Sequence, residues 1–132
     1  MTKFAELETL LKNNAIEDFK KVVTAADCTL RCTDPTHGSA PGDTLMHAAA
    51  RHDKPEAIAH LATLKEALVV TPNLTTAKWA LNVAASSKSK KAIGRITHQR
   101  MQRHIRLIQT QEDATLTTEL LDGDDAIIAT KT

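Results

Sequence analysis

Aromatic residues are nearly missing from this chain: Phe4, Phe19 and Trp79 are the three, and there is no Tyr. A core without aromatic bulk is built from Ala, Leu, Ile and Val, and Ala-rich helices approach one another closely. That favours stacked short helices over a sandwich of sheets. Glycine is sparse as well, at four residues, which leaves little material for a loop that cradles phosphate. No Walker-type loop, nucleophile elbow or HExxH helix occurs, so an enzyme is not expected and no cofactor is implied. Charge of one sign does not dominate either. Seventeen Lys and Arg face sixteen Asp and Glu, for a net charge of +1, so the chain as a whole has no pull toward nucleic acid. No apolar run approaches the ~18 residues of a membrane span, and no membrane partner is expected. The opening MTKFAELETLLKNN has two early acids and no continuous apolar stretch, unlike a signal peptide. With only Cys28 and Cys32 and no export signal, a reducing compartment is expected, cytoplasmic or nuclear, with both thiols free.

What is present is internal self-similarity. The 132 residues make one domain, long enough to bury about two-thirds of its unfolded surface. Within it, DTLMHAAARHDKPEAIAHL (43–61) shows a short apolar run, a polar break and a second apolar run. Leu81, Asn82, Ala84 and Ala85 repeat the positions of Met46, His47, Ala49 and Ala50, and Ile93 and Ile96 repeat Ile58 and Leu61. Upstream, Leu7, Leu10 and Leu11 form one apolar face and Ile16, Phe19, Val22 and Val23 a second. Asn13-Asn14 breaks the two, because Asn tolerates a left-handed turn. The chain therefore reads as three helix pairs, at 3–23, 44–66 and 79–97. A long Pro- and Gly-rich connector follows the first pair, and a shorter one with a turn at Pro72-Asn73 follows the second.

Thr44, Met46, His47, Ala49 and Ala50 fall where the T-P-L-H-x-A signature places its Thr, Leu, His and small residues, and the repeat interval is close to ~33 residues. In these positions the chain resembles the ankyrin-repeat family over residues 4–97. Leu45 stands where the family has Pro. Asp53 stands in place of the usual turn Gly, and Lys88 and Ser89 in place of the third turn Gly and its follower, which marks the third repeat as the softest. The resemblance implies an all-α stack of about three helix–turn–helix repeats; the charge pattern beyond it adds a capping helix, for a domain over residues 1–110, and a flexible acidic tail at 111–132. It implies that Thr44 caps its helix and that His47 bonds back to backbone. It also implies a non-enzymatic protein-interaction module with a concave binding surface. By that pattern the partner-binding positions are Asp34, Gly42, Asp43, Ala48, Arg51 and His52, with Thr75, Lys78, Trp79, Val83, Ser86 and Ser87 from the third repeat. The partner is another protein, and the chain itself is expected to be a monomer or weak homodimer.

Three other groups invite a chemical reading. Cys28, Cys32, His37 and His47 are potential zinc ligands, but their spacing is not that of a finger. Two unremarkable thiols in a loop are the simpler account, and no metal is assigned. Glu56 and His60 lie one helical turn apart and read as a surface pair of little energetic weight. Trp79 occupies a position where the repeat expects Thr; it packs at the joint between repeats or stands out as a binding anchor, and packing is favoured.

The last group is a charge run. Lys88–Arg106 carries seven cations and no acid, and Glu112, Asp113, Glu119, Asp122, Asp124 and Asp125 then follow. At about 100° per residue, Lys88, Lys91, Arg95, Arg103 and Arg106 share one side of a helix, with Met101, Ile105 and Ile108 on another as a capping stripe. These five cations define the alternative function, grip on a nucleic-acid backbone without base reading. The lack of stacking aromatics weighs against it, and a charged face is most often a solvated face.

Overall fold

The structure is a computed structural model that describes residues 2–122, with side chains described as far as Thr110. All regular structure among these residues is helical. The α-helices are α1 (Lys3–Lys12), α2 (Ile16–Val22), α3 (Leu45–Arg51), α4 (Pro55–Leu64), α5 (Ala80–Ser86) and α6 (Lys90–Asp122). Short 3-10 turns at Ala25–Thr29, Pro35–His37 and Glu66–Val70 fill the connectors. Two compact units divide the chain, Met1–Arg100 and a second that begins at Met101. No described helix is long and apolar enough to cross a membrane.

Local chemistry sets where each helix begins. The Thr2 side chain accepts the Ala5 amide at 3.1 Å and caps α1. In α2 the acids Glu17 and Asp18 open the helix and Lys20 and Lys21 close it, which suits the helix dipole at both ends. Pro55 is the first residue of α4, where its missing N–H costs nothing.

The three helix pairs end their first helices in the same way. Asn14, Asp53 and Lys88 have φ of 60°, 56° and 56°, each in the left-handed region. Their amides bond to Leu11, Ala50 and Ala85 at 3.1, 3.3 and 3.2 Å. The next amides, of Ala15, Lys54 and Ser89, return to Leu10, Ala49 and Ala84 at 2.8, 2.9 and 2.9 Å. These bonds satisfy carbonyls that a helix end leaves open. Each turn thus redirects the chain within three residues, and α2 and α4 lie back against α1 and α3.

Packing follows from which faces are apolar. Helix α3 lies between α1 and α5, and α4 lies on α2. Six successive residues of α3, Leu45 to Ala50, are buried, so the helix is interior up to Arg51, with His47 as its one buried polar side chain. Phe19, Ile58, Leu61, Leu68 and Ile96 fill the space between helices, each at 1% exposure or less. The expected second apolar face of the first pair is narrower than its spacing implied. Phe19 and Val23 are buried, whereas Val22 is 48% exposed and has turned to solvent. The expected capping stripe is not a packing face either. Met101, Ile105 and Ile108 are exposed, as is Leu107.

Candidate functional site

The loop between Thr71 and Trp79 is built around one side chain. Asn73 is 2% exposed. Its Nδ2 donates to Asp43 Oδ1 at 2.6 Å and to the Pro41 carbonyl at 3.0 Å. Its Oδ1 accepts from the amides of Thr75 and Thr76 at 2.6 and 2.9 Å, the turn that Asn forms with its own following backbone. The Asn73 amide donates to the Lys78 carbonyl and closes the loop at its base. Gly42 lies directly beneath, with φ of 90°, and a Cβ there would stand 2.9 Å from Asn73 Oδ1. Only glycine fits both that conformation and that approach.

Asp43 and His47 extend this support. Asp43 Oδ2 accepts from the Ala40 amide at 2.9 Å and from Arg51 at 3.1 Å, and the residue is 1% exposed. His47 is fully buried. Its Nδ1 accepts from the Thr44 amide at 3.1 Å, and its Nε2 donates to the Lys78 carbonyl at 2.8 Å. Thr44 Oγ1 accepts the His47 amide at 3.4 Å and caps α3. Burial drives the His47 pKa below its usual value, with the Lys78 carbonyl opposing. The imidazole is therefore neutral, with its proton on Nε2.

The expected binding positions separate into two groups. Gly42, Asp43, Ala48 and Val83 are buried and do not reach a partner. That corrects the sequence pattern: Gly42 and Asp43 hold up the loops, Ala48 belongs to the hydrophobic core and Val83 is 5% exposed. Asp34, Thr75, Lys78, Trp79 and Ser86 are exposed, and Arg51, His52 and Ser87 are partly so. Arg51 is spoken for by Asp43, and His52 Nε2 meets Glu8 Oε2 at 3.0 Å. Glu8 is wholly buried and also accepts from the Ser39 hydroxyl. Trp79 is 36% exposed, with the Arg100 guanidinium 4.8 Å from its ring centroid. Sequence reasoning passed over Leu74. It is 71% exposed on the same loop, and the available signal was a large apolar residue in an otherwise polar turn.

The other candidate groups come out as follows. Cys28 Sγ faces the Thr24 carbonyl and Cys32 Sγ the carbonyls of Asp34 and Ser39, so the two thiols and His47 address different atoms. Burial raises the pKa of both thiols. Glu56 pairs with Lys20 at 3.7 Å rather than with His60. Of the five cations assigned to a nucleic-acid face, Lys88 is not on the helix: it is the left-handed turn residue that precedes α6. Lys91 and Arg95 are exposed on the first unit, and Arg103 and Arg106 belong to the second. Compared with protein-family models, curated proteins and solved structures, the chain finds no significant match.

Proposed function

We propose that this chain is a short ankyrin-like stack that serves as a protein-interaction module. Its binding surface is the Leu74–Trp79 loop with Thr75, Lys78 and Ser86 beside it. The observation that carries this reading is Leu74 at 71% and Trp79 at 36% exposure, on a loop fixed by the buried Asn73. Large apolar side chains held in place beforehand lose little entropy when a partner covers them, and Trp is among the commonest interface anchors. The ankyrin-like reading is supported by the packed pairs α1–α2 and α3–α4 and by the matching left-handed turns at Asn14, Asp53 and Lys88. Lys78 and Arg100 beside the apolar pair favour a partner segment that combines an apolar side chain with carboxylates. The proposed setting is cytoplasmic or nuclear, with which two free, buried thiols accord.

The test is affinity capture from nuclease-treated lysate at moderate salt, comparing the native chain with the Leu74→Ser/Trp79→Ser double variant. A discrete protein held by the native chain and lost from the variant supports the reading. Equal recovery on both would place the surface elsewhere.

A further inference from the structure

A second site stands apart from that loop, at the start of α6. Pro55, Lys90, Lys91, Gly94, Arg95 and His98 surround an open hollow of about 470 Å3. Lys91, Arg95 and His98 follow one another at intervals of four and three residues, so one face of the helix carries all three. Lys90 flanks them, and Pro55 at the head of α4 forms the opposite wall.

No salt bridge among the described residues holds Lys90, Lys91 or Arg95. The nearest acids line an adjoining hollow of about 490 Å3 that also includes Lys91. One oxygen of each is engaged: Glu17 Oε1 and Glu56 Oε2 meet Lys20, at 3.5 and 3.7 Å, and Asp53 Oδ1 accepts the Ala92 amide at 2.8 Å. Like charges four residues apart weaken a helix, as do cations in its first turn. The arrangement is thus unfavourable in the free protein and would be relieved by an anion.

Gly94 adds an independent observation. Glycine weakens a helix interior relative to alanine. Close packing does not account for it here, because a Cβ on Gly94 would meet nothing within 4 Å. Its bare backbone leaves the floor of the hollow open in the midst of the cations.

We infer that this hollow binds phosphoryl groups carrying several negative charges, with Lys90, Lys91 and Arg95 as the charge-bearing contacts and His98 at the rim. Arg95 presents a planar fork of donors suited to phosphate oxygens, and the lysines add point charges. The chemistry is shared by a small polyphosphate and by a nucleic-acid backbone, and the ligand sits in the hollow rather than along the full length of the basic run. The inference is independent of the protein-binding reading above.

The experiment is calorimetric titration of the full chain at low salt with inorganic tripolyphosphate and, in a parallel arm, with a short single-stranded oligonucleotide. Lys91→Gln/Arg95→Gln should weaken binding about tenfold or more, the loss that two charge-assisted contacts imply. The charge-matched Arg103→Gln/Arg106→Gln should leave tripolyphosphate binding within about twofold. Gly94→Leu should abolish binding while the protein melts at the same temperature or higher, since the new side chain enters the hollow and the helix gains propensity. Binding of tripolyphosphate alone would identify a small-molecule source, and groove-dependent binding of the oligonucleotide a backbone source. Absence of binding to the native chain in both arms, equal losses from the two charge-matched pairs, or full binding by Gly94→Leu would each overturn the assignment.

Discussion

His47 Nε2 donates to the carbonyl oxygen of Lys78 at 2.8 Å, joining the first helix of the second pair to the residue just ahead of the third. A carbonyl only accepts, so the proton is fixed on Nε2 and Nδ1 is left to receive the Thr44 amide. One neutral ring thus ties α3 to the segment ahead of α5 and completes a helix cap.

The first prediction concerns acid. Burial lowers the His47 pKa in the folded chain, so the unfolded chain binds the proton more readily. Between the depressed folded value and the ordinary ~6.5, the unfolded state carries more protons, and stability rises with pH. The contribution is complete above ~6.5 and is lost as pH falls through the window below it. Urea midpoints measured from pH 7.5 downward should decline there, and His47→Asn should flatten that part of the curve. The same variant should lose about 1 kcal/mol at neutral pH, because Asn keeps the cap but gives up the bond to the Lys78 carbonyl, which then retains only the Asn73 amide. An unchanged slope in the variant would remove His47 as the source.

Asp43 offers a second. Three donors converge on it, from Ala40, Arg51 and Asn73. Asp43→Ala should cost about 3–5 kcal/mol, since it leaves a guanidinium and a buried amide without their acceptor. Leu74→Ser, on an exposed side chain, should shift stability by no more than about 0.5 kcal/mol. Chemical denaturation of the two side by side distinguishes a support residue from a contact residue.

The turn residues give a third. Lys88 sits at φ 56° with a Cβ, and Lys88→Gly should stabilise the fold by about 1 kcal/mol. Asp53→Gly should gain less or lose, although its φ is also 56°, because Asp53 Oδ1 accepts the Ala92 amide. Thermal melts that show the same gain in both would contradict the role given to that carboxylate.

The thiols supply the last. Cys28 and Cys32 are each 2% exposed, and burial raises their pKa. Both should label slowly with iodoacetamide in the native chain and fast in urea, as mass spectrometry can follow. Rapid native labelling of either would show that its cover opens.

How much of this was legible in the sequence depends on the range of the interactions involved. The helix pairs were readable because apolar spacing at Leu7–Leu11, Ile58–Leu61 and Ala84–Ile96 is local. So were the turns: Asn14, Asp53 and Lys88 all fall where the repeat pattern placed a left-handed residue. The burial of Asp43 was not readable, because its donors come from three separate segments and its neighbours in sequence resemble a loop tip. Glu8 was missed for a similar reason. An acid on the inner face of α1 makes sense only once Ser39 and His52 arrive beside it. The basic run read as one continuous stripe because periodicity assumes one helix. The turn at Lys88 takes that residue off the helix, which begins at Lys90.

The continuous burial of α3, from Leu45 to Ala50, has a consequence for how such a chain can diversify. Along those six residues no position lets a new side chain be tried without disturbing its neighbours, and only Arg51 at the end of the helix reaches solvent. Variation that changes what the protein recognises is therefore confined to the connectors and the outer helices, while the middle of the molecule drifts only among residues of nearly equal volume.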